Sequence, residues 1–145
     1  MKATDELLKD HRMVRKVLSE FELSNPRFPQ LLQTLHRILK AHAWFEDEIF
    51  LPALKVEPRL ARLEREIAEE HQDLDQILGE LRATAPADHK ALEFNMLQLR
   101  AILDTHFKKE EDGLFPLAER VLDSEGLLYL GEEMHRRRTE VRELG

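Results

Sequence analysis

Apolar residues recur at helical spacing along four long segments of this chain, and short turns separate the segments. Side chains three, four and seven positions apart share one face of a helix, so each segment has a single apolar face to bury. The chain has only five glycines, and strand-like alternation is absent. Long helices joined by short turns pack as antiparallel neighbours. The sequence therefore predicts an all-α fold, an up-down-up-down four-helix bundle followed by a short fifth helix.

The helical pattern also predicts approximate boundaries. The five predicted helices cover about residues 4–21, 29–55, 59–83, 89–121 and 127–141. Together they suggest one bundle domain over residues 1–145, with a four-helix core at about 4–122.

Three residues are expected to disturb the ends of the long helices. Pro52 is expected to kink the second helix or to loosen its last turn, and Gly113 and Pro116 are expected to distort the fourth helix late. The inward face of the fourth helix is still expected to include Leu114 and Leu117.

Composition narrows the classes of function. The chain has no cysteine, which excludes disulfide scaffolds, thiolate zinc sites and a cysteine nucleophile. Its net charge of −7 argues against nucleic-acid binding, and the basic run Arg136-Arg137-Arg138 is more typical of an exposed helix face. An apolar leader is absent and no apolar run approaches the roughly 20 residues of a membrane span. We therefore expect a cytoplasmic protein without membrane partners.

One motif occurs twice. His42 precedes Glu46 by four positions, His106 precedes Glu110 by four, and a proline follows each histidine by ten. Residues four apart lie on one helix face, so each copy directs an imidazole and a carboxylate the same way. Such a pair suits a metal ion.

Two further histidines fit an internal repeat. His11 in the first helix and His71 in the third lie in similar surroundings, at an offset of 60 residues, whereas the two His-Glu pairs match at an offset of 64. The bundle thus consists of two similar helical hairpins. Each hairpin contributes one lone histidine and one His-Glu pair.

The turns place these histidines at one depth. The positions midway between successive members of the set His11, His42, His71 and His106 all fall in or beside predicted turns. Residues equally far from the turn between two antiparallel helices lie at one level, because both helices rise 1.5 Å per residue. The four histidines are therefore expected to form one layer, with Glu46 and Glu110 one turn along.

A buried layer with two carboxylates requires compensating charge. Six nitrogen and oxygen ligands suit one metal site of high coordination or, better, two adjacent metals bridged by the carboxylates. Imidazoles and carboxylates without thiolates favour non-haem iron over structural zinc. The remaining histidines, His36, His89 and His135, are expected to lie on the surface.

This pattern resembles the hemerythrin-like, or HHE cation-binding, family over most of the chain. The resemblance implies a four-helix bundle that holds two non-haem iron ions in an oxo- or hydroxo-bridged centre. It implies that His11 and His42 serve mainly one iron and that His71 and His106 serve the other. Glu46 and Glu110 would then be the bridging carboxylates.

The chain departs from the oxygen-carrying members of the family at one position and is ambiguous at a second. Asp75 stands where those proteins have a second histidine on the third helix. The oxygen carriers place the carboxylate of the fourth helix five positions after its histidine, so Glu111 competes with Glu110 for this role. We therefore expect a protein that binds or reacts with O2, NO or peroxide rather than an oxygen carrier. One alternative is an iron- or oxygen-sensing or iron-handling regulatory module without turnover. A structural bundle that binds zinc or nothing is the third possibility.

Overall fold

The computed structural model describes the backbone of residues 1–144 and the side chains of residues 1–138 and 140. Residue 145 of the predicted domain lies outside the described residues. The helices are α1 (Ala3–Leu18), α2 (Phe28–Phe45), α3 (Leu51–Leu54), α4 (Ala61–Ala83), α5 (His89–Lys109), α6 (Phe115–Val121) and α7 (Ser124–Leu144). The predicted all-α fold, a helical bundle followed by a fifth helix, is confirmed.

The second and fourth long segments each continue through a π-helical turn. The first π turn, Glu46–Phe50, joins α2 to α3, and the second, Glu110–Leu114, joins α5 to α6. A proline follows each turn at its second position, Pro52 and Pro116. Proline lacks an N–H group and its ring clashes with the carbonyl four residues earlier, so the backbone widens there. The predicted disturbances thus take the form of π turns.

The second π turn changes which residues of α6 face inward. A π turn contains about one residue more than an α turn, so the inward face moves along the chain. Phe115 and Ala118 are buried, while Leu117 is 37% exposed. The expectation that Leu117 faces the core is wrong for this reason, whereas Leu114 is buried as expected.

Two apolar clusters fill the bundle on either side of the histidine layer. One cluster contains Val14, Leu39, Leu74 and Leu103, each three positions from a histidine of the layer. The other contains residues on the opposite side of the same histidines, such as Leu7 and Ile67. Burial of each such side chain stabilises the fold by roughly 1.5–3 kcal/mol. The layer therefore lies between two dry regions.

The last helix is longer than expected and packs along α1. The Asp123 side chain accepts a hydrogen bond from the Gly126 N–H at 2.7 Å, and α7 begins at Ser124, ahead of the predicted boundary at about 127. Leu127 and Met134 are buried. A Cβ atom added to Gly131 would lie 1.9 Å from the Met1 carbonyl oxygen, so α7 approaches the start of α1 at backbone distance. Among the described residues, no helix is long and apolar enough to cross a membrane.

Candidate metal centre

The structure brings all six sequence-predicted residues together. The four helices α1, α2, α4 and α5 each contribute one histidine, and each π turn begins with one glutamate. All six side chains are buried, with Glu46 and Glu110 at 0% exposure. The residues are His11, His42, Glu46, His71, His106 and Glu110.

Each imidazole directs its Nε2 atom towards the two central carboxylates. Both glutamates use the Oε1 atom for these contacts, and one oxygen of each serves histidines from more than one helix. The Nε2-to-Oε1 distances are 2.8 Å for His11 to Glu110, 3.1 Å for His42 to Glu46, 3.0 Å for His71 to Glu46 and 3.5 Å for His106 to Glu110. The four Nε2 atoms thus converge on one buried volume.

The other ring nitrogen of each histidine, Nδ1, contacts a second carboxylate outside this volume. We call these four acids the outer carboxylates. The pairs are His11 with Glu111 at 2.6 Å, His42 with Asp10 at 2.8 Å, His71 with Asp47 at 3.0 Å and His106 with Glu70 at 2.8 Å. An Nδ1–H that donates to a carboxylate leaves the Nε2 lone pair free, fixes the ring orientation and makes the ring a better metal ligand.

Three of the outer carboxylates are held in turn by a basic side chain. Arg138 contacts Asp10 at 2.8 Å, Arg15 contacts Glu111 at 2.9 Å and Lys109 contacts Glu70 at 2.7 Å. Within the described part of the chain, Asp47 pairs with no lysine or arginine and its side chain is 40% exposed. The pair of Asp47 and His71 is therefore held less firmly than the other three.

Charge in the layer is unbalanced in favour of the acids. Two central and four outer carboxylates face three basic side chains, so the histidines carry part of the compensation. Burial lowers the pKa of His42, but the carboxylates of Glu46 and Asp10 outweigh it and raise that pKa to about 10. Burial raises the pKa of Glu46, yet the imidazoles around it, His42 first, hold it well below its usual range.

The histidines differ in their protonation. Burial also lowers the pKa of His71, but hydrogen bonds to Asp47 and Glu46 raise it to about 9. Burial together with the positive charge of His42 lowers the pKa of His11 to about 4. The Phe107 ring stacks on His11 with 3.8 Å between ring centroids, which keeps water from that imidazole. Without metal, His42 and His71 therefore supply the positive charge that Glu46 and Glu110 require.

The donor atoms fit a metal site. The Oε2 atoms of Glu46 and Glu110 and the Nε2 atom of His106 are buried without a hydrogen-bond partner, which is rare for such groups. One ligand atom from each of His42, Glu46, His106 and Glu110 lies within 4.8 Å of the others. Nitrogen and carboxylate oxygen donors in this number match the preferences of first-row transition metals. The group could hold a metal.

The structure also places the residues that the sequence left open. Glu110 lies in the centre, and Glu111 binds the outer nitrogen of His11. Asp75 is exposed and is not among the residues whose ligand atoms converge as a possible metal group. The other outer carboxylates were missed, although one signal was present, since Asp10, Asp47 and Glu70 each adjoin a predicted site residue in sequence.

A helical bundle with a buried histidine-glutamate cluster defines a class of metal-binding proteins, and the sequence comparison specifies the family. The family model described as the hemerythrin HHE cation binding domain matches residues 2–118 and 62–144. The chain belongs to this family. No match to a functionally curated protein was found.

A solved structure shows the same fold. It is a hemerythrin HHE cation binding domain-containing protein, the Rv2633c homologue from Mycobacterium kansasii. The TM-score is 0.82 at 23% sequence identity, with 98% of this chain and 88% of the other covered. At this identity the likeness concerns the fold.

Proposed function

We propose that this protein holds two non-haem iron ions between the six buried side chains and that the centre binds or reacts with O2, NO or peroxide. The observation that carries the proposal is the convergence of four histidine Nε2 atoms on two buried carboxylates whose second oxygens have no partner. Two dications would replace the positive charge that protonated histidines otherwise supply.

The ring positions support a division of the ligands between two irons. His11 and His42 lie 5.0 Å apart between ring centroids, and His71 and His106 are also 5.0 Å apart. The first pair comes from the hairpin of α1 and α2, the second from α4 and α5. Glu46 and Glu110 contact histidines of both pairs, which suits bridging carboxylates.

The chain prepares this site in three ways. The outer carboxylates keep a proton on each Nδ1 and so leave Nε2 as the ligand atom. Phe107 and Phe115 cover His11 and keep that side of the centre dry. Bound iron would supply electrons and open coordination positions for a diatomic ligand or peroxide. The protein's partners in this proposal are therefore small molecules.

A second function, a sensing or iron-handling module without turnover, has one observation in its favour. Arg138 on α7 contacts Asp10, and Asp10 in turn contacts His42, so the last helix is linked to the centre by two charged contacts. Loss of metal would alter His42 and, through it, the position of Asp10. In this case, the docking of α7 would report occupancy of the centre.

Reconstitution of the purified protein with Fe²⁺ under anaerobic conditions tests the proposal. We expect absorption changes on addition of O2, NO or peroxide, and their loss in the double variant Glu46→Gln, Glu110→Gln. Multiple turnovers of peroxide would favour the reactive centre. An apo form whose α7 is cleaved faster by protease, without turnover, would favour the sensor. Binding of iron without any spectral response to the three ligands would contradict the first function.

A further inference from the structure

The two halves of the bundle differ on one side of the centre. Helices α1 and α4 match at an offset of 60 residues, so Arg15 corresponds to Asp75 and Leu8 corresponds to Ala68. Helices α2 and α5 match at an offset of 64 residues, so Ala43 corresponds to Phe107. On the side of His11, Phe107 stacks on the imidazole and Arg15 lies over the Phe107 ring at 5.2 Å. The side of His71 has smaller residues at both apolar positions and an acid in place of the arginine.

These differences leave a groove between α2 and α4 that reaches the centre. The groove has a volume of about 380 Å³, and its walls include Ala43, Ala68, Asp75, Asp47 and His71 itself. A divalent cation with six water ligands occupies roughly 180 Å³, about half of this volume, since a water molecule occupies about 30 Å³ in the liquid. The groove therefore connects solvent to His71, one of the four central histidines.

His71 is also the most exposed of the four central histidines, and its outer carboxylate has the fewest contacts to hold it. It is 9% exposed, whereas His11, His42 and His106 are at most 2% exposed. Its outer carboxylate is Asp47, which alone among the four has no basic partner within the described chain. Lys40 and His36 also line the groove, but neither pairs with Asp47. Among the side chains that the structure describes, no ion pair comparable to that of Arg15 with Glu111 holds this pair in place.

We propose that metal ions enter and leave the centre through the α2–α4 groove, past Asp47, with His71 as the ligand that binds last and releases first. The inference rests on the proposed metal centre and adds the route and the order of exchange. The groove is open because Ala43 stands where the other half has Phe107, and it attracts a cation because Asp75 stands where the other half has Arg15.

Two substitutions that copy the closed half into the open half test the route. Ala43→Phe fills the groove, and Asp75→Arg places a basic side chain beside Asp47. Their matched controls are Ala101→Phe on the exposed face of α5 and Asp73→Arg, which makes the same change of charge at another exposed position of α4. Neither control position lines the groove.

The probe is Co²⁺, whose visible absorption bands report its coordination. Stopped-flow mixing measures uptake by the full chain, and mixing of the loaded protein with excess chelator measures release. We expect Ala43→Phe to slow uptake and release alike by about tenfold or more, so that the equilibrium affinity changes by less than about threefold. Asp75→Arg is expected to slow uptake more than Asp73→Arg does. Circular dichroism checks that each variant is folded.

The outcomes separate this inference from the proposed centre. A wild-type protein that takes up neither Co²⁺ nor Fe²⁺ would contradict the centre itself. Normal binding with unchanged rates in Ala43→Phe and Asp75→Arg would contradict the route alone. A lower affinity with faster release would also contradict the route, because it would show that these residues stabilise the bound metal and do not control access to it. If Ala43→Phe does not fold, the comparison of Asp75→Arg with Asp73→Arg decides.

Discussion

Glu46 and Glu110 have no exposed surface, and an ionised carboxylate in that position is tolerated only where positive charge surrounds it. Imidazoles from four helices surround them, with His42 and His71 carrying the positive charge, and each imidazole is backed by an outer carboxylate. Three of the imidazoles therefore belong to chains of contacts that run from an arginine or lysine through an outer carboxylate to the centre. One such chain is Arg138, Asp10 and His42.

Removal of Arg138 tests whether such a chain matters. The Arg138 side chain also lies over the Phe45 ring at 4.6 Å, so Arg138→Met keeps most of the packing and loses the charge. We expect metal affinity to fall by about tenfold and the Co²⁺ absorption bands to shift, since outer partners of metal-ligating histidines typically contribute 10–100-fold. Arg137→Met, on the exposed face of α7, is the matched control. Partial recovery in Arg138→Lys would confirm a role of charge, and identical spectra in both methionine variants would exclude it.

The protonation of His42 and His71 predicts a dependence on pH. With pKa values of about 10 and about 9, both rings are charged at neutral pH without metal, and each must lose its Nε2 proton to bind a metal ion. We expect binding at pH 7 to release about two protons per chain from these rings, and affinity to rise as pH rises. Calorimetry in two buffers of different ionisation enthalpy measures the number. Binding without proton release would contradict this assignment.

The same pKa values predict how the metal-free protein responds to alkali. A group whose pKa is higher in the folded than in the unfolded state stabilises the fold below its unfolded pKa, and this contribution is lost as pH rises through the folded value. For His42 and His71 that window runs from about 6.5 to about 10. We expect the free energy of unfolding of the metal-free protein to fall across it. Urea titrations at several pH values check this, and a rise in stability with pH would contradict it.

At the scale of elements, the helices follow from sequence patterns that need no tertiary information. Apolar spacing and turn residues predicted the long segments, and the turns also predicted that four histidines share one level. The π turns were not predicted as such, because a proline near a helix end allows a kink, a loose turn or a π turn. The contacts of the outer carboxylates were not predicted for a related reason. An acid next to a ligand position in sequence lies on a different face of the isolated helix, and only the packed bundle shows which imidazole it contacts.

The contact between α7 and α1 gives a prediction about packing. An alanine at Gly131 would place its Cβ 2.7 Å from the Lys2 carbonyl carbon and 2.8 Å from the Ala3 nitrogen, so the helices must separate. We expect the close contact in Gly131→Ala to lower the free energy of unfolding by about 1–3 kcal/mol. The higher helix propensity of alanine offsets roughly 1 kcal/mol of this loss. Thermal unfolding measures the change.

Gly79 provides the matched comparison for this substitution. It lies within α4, and a Cβ there would meet nothing within 4 Å. Gly79→Ala should therefore stabilise the protein by about 0.5–1 kcal/mol through helix propensity alone. Equal effects of the two substitutions would show that the close approach of α7 to α1 does not determine the result.

At the scale of the whole molecule, the centre joins two helical hairpins that repeat one design. The hairpin of α1 and α2 and the hairpin of α4 and α5 each contribute two histidines and, through the π turn, one glutamate. The repeat explains why matching residues meet, and its exceptions, such as Ala43 and Asp75, distinguish an open side from a closed one. A metal bound between the hairpins should hold them together.

Metal should therefore stabilise the whole fold. A ligand that binds only the native state contributes about 2.7 kcal/mol when its free concentration is one hundred times its dissociation constant. For a chain of this size that corresponds to a rise of roughly 5–10 °C in Tm. Differential scanning calorimetry with Fe²⁺ under anaerobic conditions, before and after chelation, measures it. An unchanged Tm at saturating metal would show that the hairpins are equally stable without the ion.

A site for two irons formed by these six side chains requires two metal ions per chain, and this number can be measured. Native mass spectrometry of the anaerobically reconstituted protein, with elemental analysis of the same sample, gives that number. We expect two irons per chain in the wild-type protein and a loss of both in the double variant Glu46→Gln, Glu110→Gln, because each carboxylate contacts histidines of both pairs. A wild-type protein that holds no iron, or a double variant that retains two, would show that these six side chains do not form such a site.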